Sequence, residues 1–185
     1  LWIVDPETIA TGFTHVNDTI SRHPGGRPNR PRPTDAPSRS AMKLQEAFEW
    51  LNHSPEKGET VVDLGAAPGG WSSFVAQQRV KLIAVDRQAM AVKLPKRQFR
   101  HVQENAFTYA PPETVDWLLC DLAQRPLDVA KLIAKWGRHV WARQVLVSFK
   151  LPMKEKAEML KRIIDIIESG GWREIQARQL YHDKN

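Results

Sequence analysis

The sequence predicts a doubly wound α/β fold, in which a parallel β-sheet is covered by helices on both faces. Two observations predict it. From Pro37 onward, apolar segments of strand length alternate with amphipathic segments of helix length. In addition, the stretch VVDLGAAPGGWSSF (61–74) joins an apolar strand to a glycine turn and a helix start. Parallel sheets of this kind bind their ligands outside the carboxyl ends of the strands.

The first predicted helix follows two serines, Ser38 and Ser40, either of which can cap it. Its apolar stripe has helical spacing and consists of Leu44, Ala47, Phe48 and Leu51. Strands are predicted at TVVDLG (60–65), VKLIAVD (80–86), FRHVQ (99–103), VDWLLCD (115–121), QVLVSFK (144–150) and REIQARQL (173–180). The later helices are predicted at WSSFVAQQ (71–78), PLDVAKLIAKWG (126–137) and KEKAEMLKRIIDIIESGG (154–171), the last closed by glycines.

Residues 1–36 have a different composition and are predicted to form an arm before the α/β domain at 37–185. The segment 22–39 holds five of the thirteen prolines together with five arginines, so it should run extended. It is either a solvated linker or an arm that touches RNA phosphates. Before it, LWIVDPETIATGFTHV (1–16) predicts a short strand pair around a glycine turn, a fragment of a preceding module.

The overall charge favours a polyanionic partner. The chain of 185 residues is 42% apolar, which suits one globular domain plus an arm, and its net charge is +6. The single cysteine, Cys120, excludes a disulfide framework and a multi-cysteine zinc site, and the six histidines show no ligand spacing, so no metal is predicted. With no apolar run of membrane-spanning length, we expect a soluble cytoplasmic monomer that binds no membrane.

Polar residues follow the apolar parts of the predicted strands and should meet at one edge of the sheet. They are Asp63 with its glycine turn, Asp86, Asn105, Asp121 and Lys150. Asp86 comes 21 positions after Gly65, the distance at which a doubly wound fold places an acid on an adenosine ribose. A helix N-cap is the alternative role for Asp86.

The glycine turn itself argues against two common ligands. Gly65-Ala66-Ala67-Pro68-Gly69-Gly70 lacks the second glycine of the dinucleotide fingerprint, which disfavours NAD. Trp71 stands where a nucleoside triphosphate loop needs Lys followed by Ser or Thr, which disfavours a triphosphate.

The segment DLGAAPGGW (63–71) resembles motif I of S-adenosylmethionine-dependent methyltransferases, in the form typical of FtsJ/RrmJ-like ribose 2′-O-methyltransferases. Further segments are similar to the members of that family that methylate a cytidine ribose in 23S ribosomal RNA: PSRSAMKLQEAF (37–48), WLLCDLAQRPLDVA (117–130), FKLPMKEK (149–156) and IQARQLYHDKN (175–185). The resemblance covers 37–185 and implies that this part is the catalytic domain. It also implies that 1–36 is an arm left from a preceding RNA-binding module. It implies a Rossmann-like class I methyltransferase, with the last strand or strands missing, that uses S-adenosylmethionine and takes 23S ribosomal RNA as substrate.

The resemblance also assigns site residues. The family surrounds the target hydroxyl with a Lys-Asp-Lys-Glu set, and its first three members match Lys43, Asp121 and Lys150; the glutamate is expected just after YHDKN. The cofactor would be held by Ser40, Asp63, Gly65, Ala67, Pro68, Gly69, Gly70, Trp71, Asp86, Asn105 and Asp121. Relatives usually carry Asp where this chain has Asn105, and an amide donates as well as accepts. For Trp71 and Trp117, packing in the core or at its rim is the expected role.

The chemistry asks for these residue types because a ribose hydroxyl is a poor nucleophile and the sulfonium methyl is a strong electrophile. Lys150 is the candidate base, or a charged stabiliser if Asp121 keeps it protonated. Lys43 would add positive charge, although a solvated helix lysine is its alternative role. A set of cationic residues could form a track for RNA or could be an ordinary solvated surface. The set consists of Lys150, Lys154, Lys156, Lys161 and Arg162 with Arg30, Arg32 and Arg39.

Three other functions stay open at this point. One is a module that binds the cofactor or RNA without catalysis, another is a 2′-O-methyltransferase of a different RNA, and a nicotinamide dehydrogenase is the third.

Overall fold

A computed structural model describes residues 2–10, 40–152 and 154–180 of the chain. Contacts within the chain divide it into two units, Leu1–Pro33 and Thr34–Asn185, and each is considered by itself. The Pro/Arg-rich segment 22–39 and the end of the chain, 181–185, lie outside the described residues, so the predictions made for them stay predictions. None of the described helices has the length and apolar character that crossing a membrane requires.

The first unit contains an antiparallel strand pair, β1 (Trp2–Asp5) and β2 (Thr8–Ala10). The turn of this pair is formed at Pro6 and Glu7, and the glycine of the predicted turn, Gly12, lies outside the described residues. Proline fixes φ near the value that the second position of a tight turn needs, and this lets the chain reverse before any glycine.

The second unit is built on five parallel strands, which confirms the predicted α/β fold class. They are β3 (Thr60–Leu64), β4 (Lys81–Val85), β5 (Phe99–Val102), β6 (Val115–Cys120) and β7 (Ala142–Val147). Their spatial order is β5-β4-β3-β6-β7, and every neighbouring pair is parallel. The carboxyl ends of all five strands therefore lie at one edge of the sheet.

Four described helices cover the sheet: α1 (Ser40–Leu51), α2 (Gly70–Ala76), α3 (Pro126–Arg138) and α4 (Lys156–Ser169). Helices α1 and α2 contact each other, and so do α3 and α4. On β6, Trp117 and Leu119 pack with residues of α1 and α2, while Leu118 and Cys120 pack with residues of α3 and α4. Successive strand residues point to opposite faces, so the two helix pairs cover opposite faces of the sheet.

The strand order reverses at the boundary between β3 and β6. From β3 the chain moves outward through β4 to β5, then returns to place β6 on the other side of β3. This switch opens a crevice between the segments that follow β3 and β6, which is where doubly wound sheets bind their ligands.

Two predicted strands differ from the observed structure. The strand predicted at 144–150 ends at Val147, with Ser148 N donating to Cys120 O at 2.9 Å, so Lys150 follows the strand instead of ending it. The strand predicted at 173–180 is absent from the described structure. Glu174 there has φ of 54°, a left-handed conformation that a β-strand does not contain.

Candidate active site

The turn after β3 depends on glycine at two positions with positive φ. Gly65 has φ of 77°, and a Cβ there would lie 2.6 Å from Leu122 Cδ2. Gly69 has φ of 118°, and a Cβ there would overlap the side chain of Val92. Because neither position has room for a side chain, the turn brings the backbone of residues 65–70 against the segments that follow β4 and β6. Gly70 then begins α2.

Asp86 fixes this turn from the end of β4. Its Oδ2 accepts a hydrogen bond from Ala67 N at 3.1 Å, and its Oδ1 accepts one from Gln88 N at 2.8 Å. Residues 86–98 contain no helix, so the alternative of a helix N-cap for Asp86 is wrong. The half-buried carboxylate lies at the ligand edge, and its role on a ribose stays a prediction.

Asn105 follows β5 on an exposed turn. Its Oδ1 accepts a hydrogen bond from Phe107 N at 3.0 Å, and its backbone oxygen accepts from Thr108 N and Tyr109 N. This local bonding is typical of Asn and Asp at turns. Since Oδ1 already accepts a hydrogen bond from Phe107 N, the Nδ2 donor is the group most open to an adenine edge.

Asp63 lies beneath the turn and is 1% exposed. Its Oδ2 accepts a hydrogen bond from the Ser72 hydroxyl at 2.7 Å. The pKa of the Asp63 carboxyl is raised to about 7, chiefly by burial. The hydrogen bond from Ser72 lowers this pKa, and the charges of Asp121 and Asp86 also raise it. In this structure Asp63 supports the turn from below, and direct contact with a cofactor stays a prediction.

Asp63 predicts a pH-dependent stability. The pKa of the Asp63 carboxyl is about 7 in the native state, compared with 3.8 as its ordinary value. Between about pH 4 and 7 the native protein therefore holds a proton that the unfolded chain has lost. The free energy of unfolding should therefore fall as pH rises through this window, by at most roughly 1.4 kcal/mol per pH unit. Asp63→Asn keeps the acceptor for Ser72 and removes the titration, so its stability should vary less with pH.

Chemical denaturation between pH 4 and 8 tests this expectation. Asp165→Asn is the matched control, since Asp165 is exposed on α4 and should leave the pH slope of the wild type unchanged. A slope for Asp63→Asn equal to that of the wild type would show that Asp63 is not the titrating group.

Of the three predicted catalytic residues, the structure brings two together. Lys43 Nζ lies 4.0 Å from Asp121 Oδ1, with side chains 14% and 17% exposed. Asp121 Oδ1 is buried and accepts no hydrogen bond from the described residues. Lys150 is exposed, and within the described part of the chain it forms no ion pair with Asp121. Its approach to the other two residues stays a prediction.

Ser40 and Trp71 connect the helices on one side of the turn. Trp71 is 3% exposed, and its Nε1 donates to the backbone oxygen of Ser40 at 2.9 Å. Trp71 and Trp117 belong to the same apolar cluster, which confirms their predicted packing role. Ser40 is the first residue of α1, three positions before Lys43, so this bond helps to fix the start of the helix that carries Lys43.

Three residues that contact the turn were missed by sequence reasoning: Ser72, Val92 and Leu122. Ser72 is recognisable in retrospect, because it faces back toward β3 from the first turn of α2. Val92 and Leu122 meet the glycines from distant segments, and no local pattern marks such contacts.

Neither of two open clefts on the surface includes a predicted site residue. One, of about 470 Å³, lies on α3 near Lys131 and Lys135, and the other, of about 570 Å³, lies beside α1 near His53. In the described part of the chain, no group of three or more His, Cys, Asp or Glu could hold a metal ion. The strand ends, with the glycine turn, remain the candidate site.

Comparison with known proteins shows the family of this chain. Residues 36–165, which include the turn, Lys43, Asp121 and Lys150, match the model of the FtsJ-like methyltransferase family. The chain belongs to the FtsJ-like methyltransferase family. A curated relative from Halorhodospira halophila, named "Ribosomal RNA large subunit methyltransferase M", is 39% identical over 165 residues, which are 87% of this chain and 48% of the relative. The chain spans about half the length of the curated relatives that it matches.

Two solved structures share the fold of this FtsJ-like chain. Magnesium protoporphyrin IX methyltransferase from Synechocystis with bound S-adenosylmethionine matches with a TM-score of 0.54 at 15% identity, covering 70% of this chain and 68% of that one. The fibrillarin pre-rRNA processing protein of Methanococcus jannaschii matches with a TM-score of 0.52 at 19% identity, covering 65% and 60%. At these identities the likeness shows the fold alone, the Rossmann-like methyltransferase fold that the sequence predicted.

Proposed function

We propose that this protein transfers a methyl group from S-adenosylmethionine to the ribose 2′-hydroxyl of a cytidine in 23S ribosomal RNA, in the cytoplasm. Membership of the FtsJ-like family and the name of the relatives support the methyl transfer and the ribosomal RNA. The observation that carries the proposal is the pairing of Lys43 with Asp121 beside the glycine turn, at the switch of strand order.

The turn and its neighbours suit S-adenosylmethionine. The glycine turn follows β3 at the crevice between β3 and β6, and a carboxylate follows β4 at the position suited to ribose hydroxyls. The buried Oδ1 of Asp121, which accepts no hydrogen bond from the described residues, is an acceptor suited to a cationic ligand. When bound, S-adenosylmethionine supplies an electrophilic methyl on a sulfonium sulfur.

The residues of the chain would then act on the ribose. Lys150 removes the proton of the 2′-hydroxyl or, if it stays protonated, stabilises the negative charge that develops on the oxygen. Lys43 adds positive charge near the same point, and Asp121 orients the ammonium groups. Asp86 and Asn105 hold the adenosine half, so that the oxygen and the methyl come into line.

Asp121→Asn tests the role of the paired carboxylate. The amide keeps the shape of the side chain and removes the charge 4.0 Å from Lys43 Nζ, so kcat/KM for methyl transfer should fall roughly 100-fold. The control is Asp128→Asn, which removes a carboxylate from an exposed ion pair with Arg125 and should leave kcat/KM within about twofold. An Asp121→Asn protein that binds the cofactor and keeps full activity would remove Asp121 from the mechanism.

The proposal is tested by incubating the protein with labelled S-adenosylmethionine and unmodified 23S ribosomal RNA, then mapping the methylated nucleotide. A single 2′-O-methylcytidine is the expected product. A methyl on a base, or on another class of RNA only, would contradict the proposed substrate.

A module that binds cofactor without catalysis is the second candidate. It is favoured by the exposed Lys150, which forms no ion pair with Asp121 in the described structure, and by Asn105 in place of the usual acid. Calorimetry with S-adenosylmethionine separates the two, since binding without any turnover on 23S ribosomal RNA selects this candidate.

A further inference from the structure

The segment between β4 and β5 forms a strongly basic loop, residues 87–98. Its cationic side chains, Arg87, Lys93, Lys96 and Arg97, are all exposed. The sequence has no Asp or Glu from Arg87 until Glu104, although the whole chain has 21 acidic residues against 27 Lys and Arg. The positive charge of the loop is therefore not balanced within the loop itself.

Four contacts hold this loop against the glycine turn and the core. Ala91 N donates to Pro68 O at 3.0 Å, and the side chain of Val92 lies against Gly69. At one end Gln88 N donates to Asp86 Oδ1, and near the other end Leu94 packs on the apolar cluster below α1 and α2. Val92 and Leu94 face inward, so Lys93 between them is directed outward, on the edge of the sheet where the strands end.

The cationic groups of this loop have no acid beside them in the described structure. None of the four is within ion-pair distance of a described Asp or Glu, whereas Arg125 and Arg143 each form such a pair. On an ordinary solvated surface, a cationic side chain is not held in a defined position. Here Ala91 and Val92 hold the first half of the loop to the turn proposed to carry the cofactor, so Arg87 and Lys93 flank the path of a polyanion that enters the site. Lys96 and Arg97 come just before β5, at the opposite edge of the sheet, where Gln98 O accepts a hydrogen bond from Leu82 N.

We propose that the basic loop binds the phosphate backbone of the RNA substrate next to the target nucleotide, chiefly through Arg87 and Lys93. This inference rests on the proposed function, because it names the contact that would present the ribose to the site. Phosphate contacts position a nucleic acid without reading its sequence. The loop should therefore contribute affinity and register, and the nucleotide preference should arise elsewhere.

The test compares two double variants that remove the same charge. Arg87→Gln/Lys93→Gln keeps long side chains and removes two positive charges from the part of the loop at the ligand edge. The control, Lys57→Gln/Lys81→Gln, removes two exposed lysines at the opposite edge of the sheet, before β3 and at the start of β4. Affinity for unmodified 23S ribosomal RNA is measured over a series of KCl concentrations, together with S-adenosylmethionine affinity and methyl transfer.

The loop variant should bind the RNA roughly tenfold more weakly, and its log-log salt slope should be smaller by about 1.4 to 1.8, with cofactor affinity unchanged. The control should match the wild type. Equal losses in both variants, or no loss in the loop variant, would overturn the proposal. The comparison of RNA affinities decides this point even if the wild type transfers no methyl group, so failure of the proposed function is separately visible.

Discussion

Replacing Lys150 by alanine is expected to reduce methyl transfer about 100- to 10,000-fold while leaving S-adenosylmethionine affinity unchanged. The size of the loss follows from the role of a positioned base in proton transfer. Lys150 is exposed and follows β7 at the ligand edge, so its removal should cost little stability. Lys131→Ala, at an exposed position of α3, is the control and should keep wild-type turnover.

Lys150→Arg distinguishes the two roles that are open for this residue. Arginine keeps the positive charge but cannot give up its proton at neutral pH. If Lys150 is the base, the arginine variant should be as inactive as the alanine variant. If it is a charged stabiliser, the arginine variant should recover much of the lost rate. Full activity in Lys150→Ala would remove Lys150 from the mechanism.

The second large effect is expected at the glycine turn. Gly69→Ala places a side chain at φ of 118°, where a Cβ would also overlap Val92. The backbone strain alone is worth about 1 to 3 kcal/mol of unfolding free energy, and relief of the overlap must move the turn or the basic loop. We therefore expect cofactor affinity to fall on the order of tenfold or more, together with a lower melting temperature.

Gly58→Ala is the matched control for this substitution. Gly58 also has a positive φ, of 92°, but a Cβ there would meet no atom within 4 Å. This variant should lose stability through strain and keep cofactor affinity. If calorimetry shows Gly69→Ala and Gly58→Ala binding S-adenosylmethionine equally well, the turn at Gly69 does not hold the cofactor.

The alternation of elements was predictable from sequence because it depends on local patterns. The five strands of the parallel sheet and the four helices all overlap the predicted segments, although some ends differ by one to three residues, and β3, α2 and β4 surround the quoted turn as expected. The sequence also predicted that the carboxyl ends of the strands lie at one edge of the sheet, because parallel strands place these ends together.

The features that could not be predicted from sequence depend on contacts between distant segments or on single backbone angles. The segment 173–180 has an apolar pattern that suits a strand, yet Arg173 Nη1 donates to Glu168 O at 3.3 Å and Glu174 is left-handed, which turns the chain at the end of α4. Nor does the position of Asp86 in the sequence reveal its bond to Ala67 N, because that bond requires β3 and β4 to pair in their observed register. The pKa of Asp63 likewise follows from burial, which only the packed turn creates.

A crystal structure of the protein with S-adenosylmethionine tests the central claim most directly. Our account predicts a cofactor whose ribose contacts the Asp86 carboxylate, whose methionine half crosses the Pro68–Gly70 corner, and whose methyl group faces Lys43, Asp121 and Lys150. A cofactor bound elsewhere, or a Lys150 side chain directed away from the methyl group, would contradict it.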